Sequence, residues 1–277
     1  MSRAIVLGGG GVTGIAWEIG LLTGLQDGGV DLRADAVFGT SAGAFVGVAL
    51  TGGDLEERFA AQHKPAPEET ALRLPRAVFV QWIWAYLRGW GDTERIGARF
   101  GAIARRRTPL TNPDERRRAV LARLATREWP ASLRVTAIDA LTGKLRVFTQ
   151  ADGCSLVDAV SASGAVPGIS PMVRFEDRDW IDGGMVSSAN ALVALGFDDI
   201  LVIAPLPKAY AGVPTVQDDV ERLRDTHARA HLTIPDAASR TAIGPNIYDP
   251  TRRPAAADAG RAQGRAAAAD LTRWHRQ

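Results

Sequence analysis

Two glycine-rich turns, one after each of the first two apolar runs, constrain this chain more than anything else in it. Ala4-Ile5-Val6-Leu7 leads into Gly8-Gly9-Gly10-Gly11-Val12-Thr13-Gly14, and Ala36-Val37-Phe38 leads into Gly39-Thr40-Ser41-Ala42-Gly43. Between them Ile15, Ile19, Leu22 and Leu25 recur at helical spacing, which predicts a helix from Ile15 to about Gln26, ended by Asp27-Gly28-Gly29. Strand, helix and strand over so short a span make a right-handed βαβ unit with parallel strands. Both glycine turns then lie at the C-terminal edge of one sheet, where open α/β proteins place their sites.

The second turn has the form G-x-S-x-G, a sharp passage from strand to helix that pushes a serine hydroxyl outward. Gly39, Ala42 and Gly43 supply the clearance so tight a turn needs. The following run, Ala44 to Leu50, reads as a buried helix whose N-terminal N–H groups favour a developing negative charge. The first turn exposes backbone N–H groups with no side chains in the way, fit to hold a phosphate or an oxyanion. As Gly9-x-Gly11-x-x-Gly14 it also matches the dinucleotide fingerprint, with Asp31 or Asp35 near the place of a ribose-binding acid. The serine at the neighbouring strand tip favours the oxyanion reading.

From about 54 to 130 the pattern is helical, arginine-rich and broken by prolines, a helical insertion. Within it Ala77 to Leu87, followed by Trp90, is too short to span a bilayer. It reads either as a buried helix or as a lid and acyl-chain wall that dips into an interface. The runs Arg105 to Arg107 and Arg116 to Arg118 read as solvated helix faces or as attractors of anionic head groups. Leu133 to Ile138 and Lys144 to Phe148 form a β-hairpin, and Ser155 caps a helix from Leu156 to about Ala162. Trp180-Ile181-Asp182-Gly183-Gly184 brings an acid to a strand end, and Ile200 to Ala204 is a buried parallel strand. Val220, Leu223 and Leu232 are expected on helix thereafter, and an alanine-rich surface helix from about 255 to 277 closes the chain.

A serine nucleophile needs a base. His227 and His231 would give the Ser, Asp, His order of the α/β-hydrolases, but both fall in a charged segment expected to be helical, and only one strand precedes the strand that leads to Ser41. With Ala228 in place of a glutamate, their spacing is no zinc motif. Asp182 is the better base on local grounds, because the two glycines after it allow direct approach to a hydroxyl and burial would strengthen it.

Taken in order, the glycine loop Gly8 to Gly14, Gly39-Thr40-Ser41-Ala42-Gly43, Ser161-Ala162-Ser163-Gly164-Ala165-Val166-Pro167 and Asp182-Gly183-Gly184 resemble the patatin-like phospholipases. The resemblance implies one domain over residues 1–277 with a three-layer α/β/α fold around a central, mostly parallel sheet. It also implies a Ser-Asp dyad that hydrolyses fatty-acyl esters without metal or cofactor. By position Ser41 is the nucleophile, Asp182 the base, and the N–H groups of Gly9, Gly10 and Gly11 the oxyanion hole. Two departures stand out: Thr13 occupies a place where members commonly carry Arg or Lys, and the paired asparagines after the Asp-Gly-Gly motif are reduced to Ser188-Ala189-Asn190.

Composition bounds the partners. A net charge of +2 gives no case for nucleic acid; a lipid or acyl ester as partner is what the resemblance implies. The single cysteine, Cys154, excludes an internal disulfide and fits a reducing compartment. With no long apolar stretch and no leader-like N-terminus, the expected location is cytoplasmic, with peripheral membrane contact open.

Overall fold

The fold was taken from a computed structural model, which describes residues 1–65, 71–207 and 212–271. Strand β1 (Arg3–Leu7), helix α1 (Gly11–Asp27) and strand β2 (Ala36–Thr40) make the expected unit, with β1 and β2 adjacent and parallel. Helix α2 (Ala42–Gly52) follows, then the insertion: α3 (Leu55–Gln62), α4 (Arg76–Gly89), α5 (Thr93–Arg106) and α6 (Pro113–Arg123). The chain returns through β3 (Leu133–Asp139), β4 (Leu145–Phe148), α7 (Leu156–Ser163), β5 (Val173–Phe175), β6 (Arg178–Asp182) and β7 (Asp199–Ile203). It ends with α8 (Val216–Asp225), β8 (Arg229–Thr233), α9 (Ala237–Ile243) and α10 (Arg253–Leu271).

The strands form one eight-stranded sheet in the order β5-β6-β3-β2-β1-β7-β8, with β4 also paired to β3. The run from β3 to β8 is parallel, while β4 and β6 lie antiparallel to β3, and β5 antiparallel to β6. Alternation along the strands builds the layers. Ile5, Leu7, Val37, Leu201 and Ile203 face α1, α2 and α10, whereas Ala4, Val6, Phe38, Ile200 and Val202 face α8 and the turn at Ala191–Ala194. A third apolar cluster joins α4 and α5 to Ile138, Ile181 and Met185.

Several expectations need correction. Helix α1 opens at Gly11, not Ile15, because Gly11 takes a positive φ of 60° and the last glycines of the loop become its first turn. Leu232 and His231 lie on strand β8 rather than on a helix; α8 stops at Asp225, and His227 at φ 68° turns the chain into the strand. The closing helix is no mere surface helix, since α10 lies against α1 at backbone contact. A Cβ on Gly20 would meet the Ala257 carbonyl oxygen at 2.0 Å, and one on Gly260 would meet that of Trp17 at 2.2 Å. Residues 272–277 of that expected helix, His275 among them, lie outside the described residues. The Trp-rich segment is neither wholly buried nor wholly exposed. Val78, Trp82, Ala85 and Tyr86 of α4 are buried, while Phe79, Val80, Ile83, Trp84, Leu87 and the adjacent Trp90 are exposed.

Candidate active site

The register of β3 brings Ser41 and Asp182 together. Thr136 pairs with Thr40, the last residue of β2, and the next residue, Ala137, pairs with Asp182, the last residue of β6. The serine after Thr40 therefore meets a carboxylate that arrives from the antiparallel side. Ser41 Oγ donates to Asp182 Oδ2 at 2.7 Å. The other carboxylate oxygen, Oδ1, accepts the Gly184 N–H at 2.6 Å. Asp182 is only 3 % exposed, and burial pushes its carboxyl up to about 6, against the pull of the Ser41 hydroxyl, the Gly184 amide and the Arg116 charge. A carboxylate so placed is a better proton acceptor than one in water.

Ser41 sits at φ 53°, a backbone state that a non-glycine residue holds at a cost of about 1–3 kcal/mol, and its surroundings fix it there. Its N–H donates to the buried Ser163 Oγ at 2.8 Å. Two residues on, the Gly43 N–H donates to the Gly8 carbonyl at 2.9 Å, and a Cβ on Gly43 would meet that of Leu7 within 2.1 Å of its oxygen. The two glycine turns are thus in contact at neighbouring strand tips.

Of the three amides expected to form an oxyanion hole, that of Gly9 donates to the Ser188 carbonyl at 2.7 Å. Gly10 and Gly11 are the N-cap and first residue of α1, where helical N–H groups have no acceptor within the helix, and both line the cavity in front of Ser41. Under this loop the buried Glu18 accepts the Gly8 N–H at 3.1 Å, while its second oxygen has no partner among the described residues. Burial holds its carboxyl well above the usual carboxylate range, against the pull of the Gly8 amide.

Sequence reasoning gave no role to Ser163, Asn190 or Glu18. Asn190 Nδ2 donates to Thr40 Oγ1 at 3.2 Å and to the Gly183 carbonyl at 3.0 Å, tying the neighbour of the serine to the neighbour of the aspartate. Thr40 and Thr136 share a hydroxyl contact of 2.8 Å beside it. One signal for Glu18 was legible, since a lone acid within the apolar run from Ile15 to Leu25 must be buried and must find a donor.

The rival residues lie elsewhere. His227 is exposed at the turn before β8, His231 lies on β8, and His63 pairs with Asp258 at 2.9 Å. Neither cavity that reaches Ser41 is lined by a described histidine. Asp31 pairs with Arg33, and Asp35 accepts the Arg3 N–H at 2.7 Å at the N-terminal edge of the sheet, opposite the glycine loop. A ribose-binding acid would stand at the other edge.

A cavity of about 550 Å³ opens in front of the pair. Its wall is mostly apolar, with Trp82, Tyr86, Val166, Met185, Pro205 and Ile247 facing it. Trp82 and Tyr86 come from α4 and are anchored by hydrogen bonds to the Pro167 carbonyl at 3.2 Å and the Met185 carbonyl at 3.1 Å.

Among solved structures the chain is similar to VipD from Legionella pneumophila, at 14% identity and a TM-score of 0.41, over 75% of this chain and 51% of that one. It is also similar to the type III effector protein ExoU, at 16% identity and a TM-score of 0.41, over 99% of this chain and 54% of that one. It therefore spans about half the length of each. No curated protein sequence matches it. The sequence pattern of the patatin-like phospholipases matches residues 5–195, from β1 through the turn after Asp182, and the chain belongs to the patatin-like phospholipase family.

Proposed function

We propose that this protein is a serine acyl hydrolase that cleaves fatty-acyl esters with Ser41 as nucleophile and Asp182 as base. The observation that carries the reading is the 2.7 Å hydrogen bond from the Ser41 hydroxyl to a buried carboxylate at the floor of an apolar cavity. Ser41 Oγ attacks the ester carbonyl as its proton passes to Asp182 Oδ2. The amides of Gly10 and Gly11, at the positive end of α1, hold the oxyanion. The leaving alcohol takes the proton from Asp182 as the ester C–O bond breaks. Asp182 then accepts a proton from water, whose oxygen attacks the acyl-serine, and returns it to Ser41 as the fatty acid departs. The apolar cavity takes the acyl chain.

The outer face of α4 supports access from a lipid surface. Phe79, Val80, Ile83, Trp84, Leu87 and Trp90 form an exposed apolar stripe, flanked by Arg88, Arg99, Arg106 and Arg107, on the helix whose inner face lines the acyl cavity. No helix among the described residues is long and apolar enough to cross a membrane. Apolar side chains rimmed by arginines suit contact with an anionic lipid interface.

A fluorophosphonate probe tests the assignment. Wild-type protein is expected to be labelled on Ser41, located by peptide mass spectrometry, with labelling lost in Ser41→Ala. Turnover of a short acyl ester by protein that the probe leaves unmodified would overturn it.

A further inference from the structure

Three consecutive residues at the end of α7 hold the backbone of both Ser41 and Asp182. Ser163 Oγ accepts the Ser41 N–H at 2.8 Å, and two residues on the Ala165 carbonyl accepts the Asp182 N–H at 3.0 Å. Between them stands Gly164, whose carbonyl accepts Arg116 Nη2 at 3.0 Å. A Cβ on Gly164 would meet that nitrogen at 2.6 Å, so glycine lets the guanidinium close on the carbonyl. Arg116 comes from α6, in the helical insertion. It is half-buried, with its Nε shielded from solvent, and it lines a cavity of about 320 Å³ together with Ser41, Gly164 and Val166. The next residue, Arg117, makes a separate and more exposed tie to α7 by pairing with Asp158 at 3.2 Å.

Charge adds to this contact. Burial, then the like charge of Arg123, press the Arg116 guanidinium down to about 10, against the pull of Asp182 and Tyr248. It is therefore charged at neutral pH, and the same attraction draws the Asp182 carboxyl down, alongside the Ser41 hydroxyl and the Gly184 amide. The other ionisable groups on the cavity wall, Glu115 and Arg118, lie on α6 and are exposed.

We propose that Arg116 is a positioning residue for acyl transfer: through the Gly164 carbonyl it fixes the segment Ser163 to Ala165, and with it the alignment of Ser41 and Asp182. The inference rests on the reading of those two residues as nucleophile and base. A carbonyl held by a charged donor is held more firmly than by a neutral one. A reacting pair displaced by about 1 Å can lose about a hundredfold in rate, so a brace on the backbone of both partners bears directly on turnover. The insertion then has two duties, with α4 lining the acyl cavity and α6 bracing the pair.

Arg116→Gln tests it on a short acyl ester. Its kcat is expected to fall by about tenfold or more with KM little changed, and the acidic limb of kcat against pH to move to a midpoint above that of wild type. Arg116→Lys keeps the charge, so it is expected to hold the wild-type midpoint and recover part of kcat. Arg117→Gln, on the same helix, is expected to change neither. Arg116→Met keeps the length of the side chain and takes the place of the glutamine variant if that one does not fold. Wild-type kcat and midpoint in the uncharged variant overturn the proposal. A lower kcat with an unmoved midpoint, a loss that Arg117→Gln shares, or a midpoint that lysine fails to hold overturns it as well. Fluorophosphonate separates this from the reading beneath it. Wild-type protein that is neither labelled on Ser41 nor active overturns both, whereas labelled, active protein indifferent to Arg116 overturns the positioning role alone.

Discussion

The Ser163 hydroxyl accepts the Ser41 N–H at 2.8 Å, so the last residue of α7 holds the backbone of Ser41 itself. Ser163 is wholly buried, and without its oxygen that amide would have no evident acceptor. Leaving a buried donor unpaired costs about 1–3 kcal/mol. Ser163→Ala is expected to lower the melting temperature and to reduce kcat on a short acyl ester by about tenfold, as the Oγ loses its fixed position. A variant that keeps wild-type kcat would show that the elbow holds its shape without this prop.

The positive φ of Ser41 predicts an unusual order of stability among inactive variants. Glycine adopts this backbone without penalty, whereas alanine does not. Ser41→Gly and Ser41→Ala are both expected to lose activity by about a thousandfold or more. Ser41→Gly should nevertheless match or exceed the stability of Ser41→Ala, by about 1 kcal/mol in urea denaturation. Lower stability for the glycine variant would place the 53° torsion in doubt.

Acidity gives a prediction with two readouts. In the proposed mechanism Asp182 must be ionised to accept the serine proton, so kcat is expected to rise with pH through a midpoint near 6, where burial has pushed its carboxyl. Stability moves the other way. The ordinary value of 3.8 lies below the folded one, so between about pH 4 and 6 the folded chain keeps a proton that the unfolded chain has released. Stability from this group is thus lost as pH rises through that window, by roughly 2–3 kcal/mol once the carboxylate is fully charged. Asp182→Asn lacks the penalty, and its stability relative to wild type should grow from pH 4 to pH 7 by chemical denaturation. A constant difference across that range would count against a buried, raised carboxyl.

Packing of α1 on α10 leaves no room for side chains at the crossing. Gly260→Val would drive a Cβ toward the Trp17 carbonyl, already 2.2 Å from where that atom would sit. The helices must separate, at an expected cost of about 3 kcal/mol or more. Soluble expression and thermal melts would check it, with wild-type stability as the contrary result.

Trp84 is 52 % exposed and Trp90 69 % exposed on the outer side of the α4 segment. The double variant Trp84→Ser, Trp90→Ser is expected to lower binding to vesicles containing phosphatidylglycerol in a sedimentation assay by about tenfold. Hydrolysis of a water-soluble ester should change far less. Undiminished sedimentation would remove this face from any lipid contact.

The early part of the fold was readable because it rests on local chemistry. Hydrophobic alternation, glycine at fixed offsets and a serine N-cap act within a few residues, and β1, β2, the hairpin, α7 and β7 fall where those signals stand. Ser41 and Asp182 were legible as residue types at strand ends. Their meeting, across 141 residues of chain, depends on the ladder of β3, which no local pattern encodes. For the same reason His227 and His231 read as helical: charged residues at 224–229 satisfy a helix until the positive φ of His227 breaks it. The alanine-rich C-terminal segment gave no sign of its depth, because small residues mark both exposed helices and those packed at backbone distance. Asn190 looked like a remnant of a motif, and only the position of its amide between Thr40 and Gly183 gives it work.

The single step along β3 from Thr136 to Ala137 sets how this machinery can come into being. A slip of β6 by one residue would turn the Asp182 side chain to the opposite face and shift it about 3.3 Å along the strand. No halfway arrangement retains part of the chemistry. Activity should therefore appear late and all at once during refolding, after the antiparallel edge has locked, and a nascent chain that stops short of residue 182 would hold a shaped but silent serine.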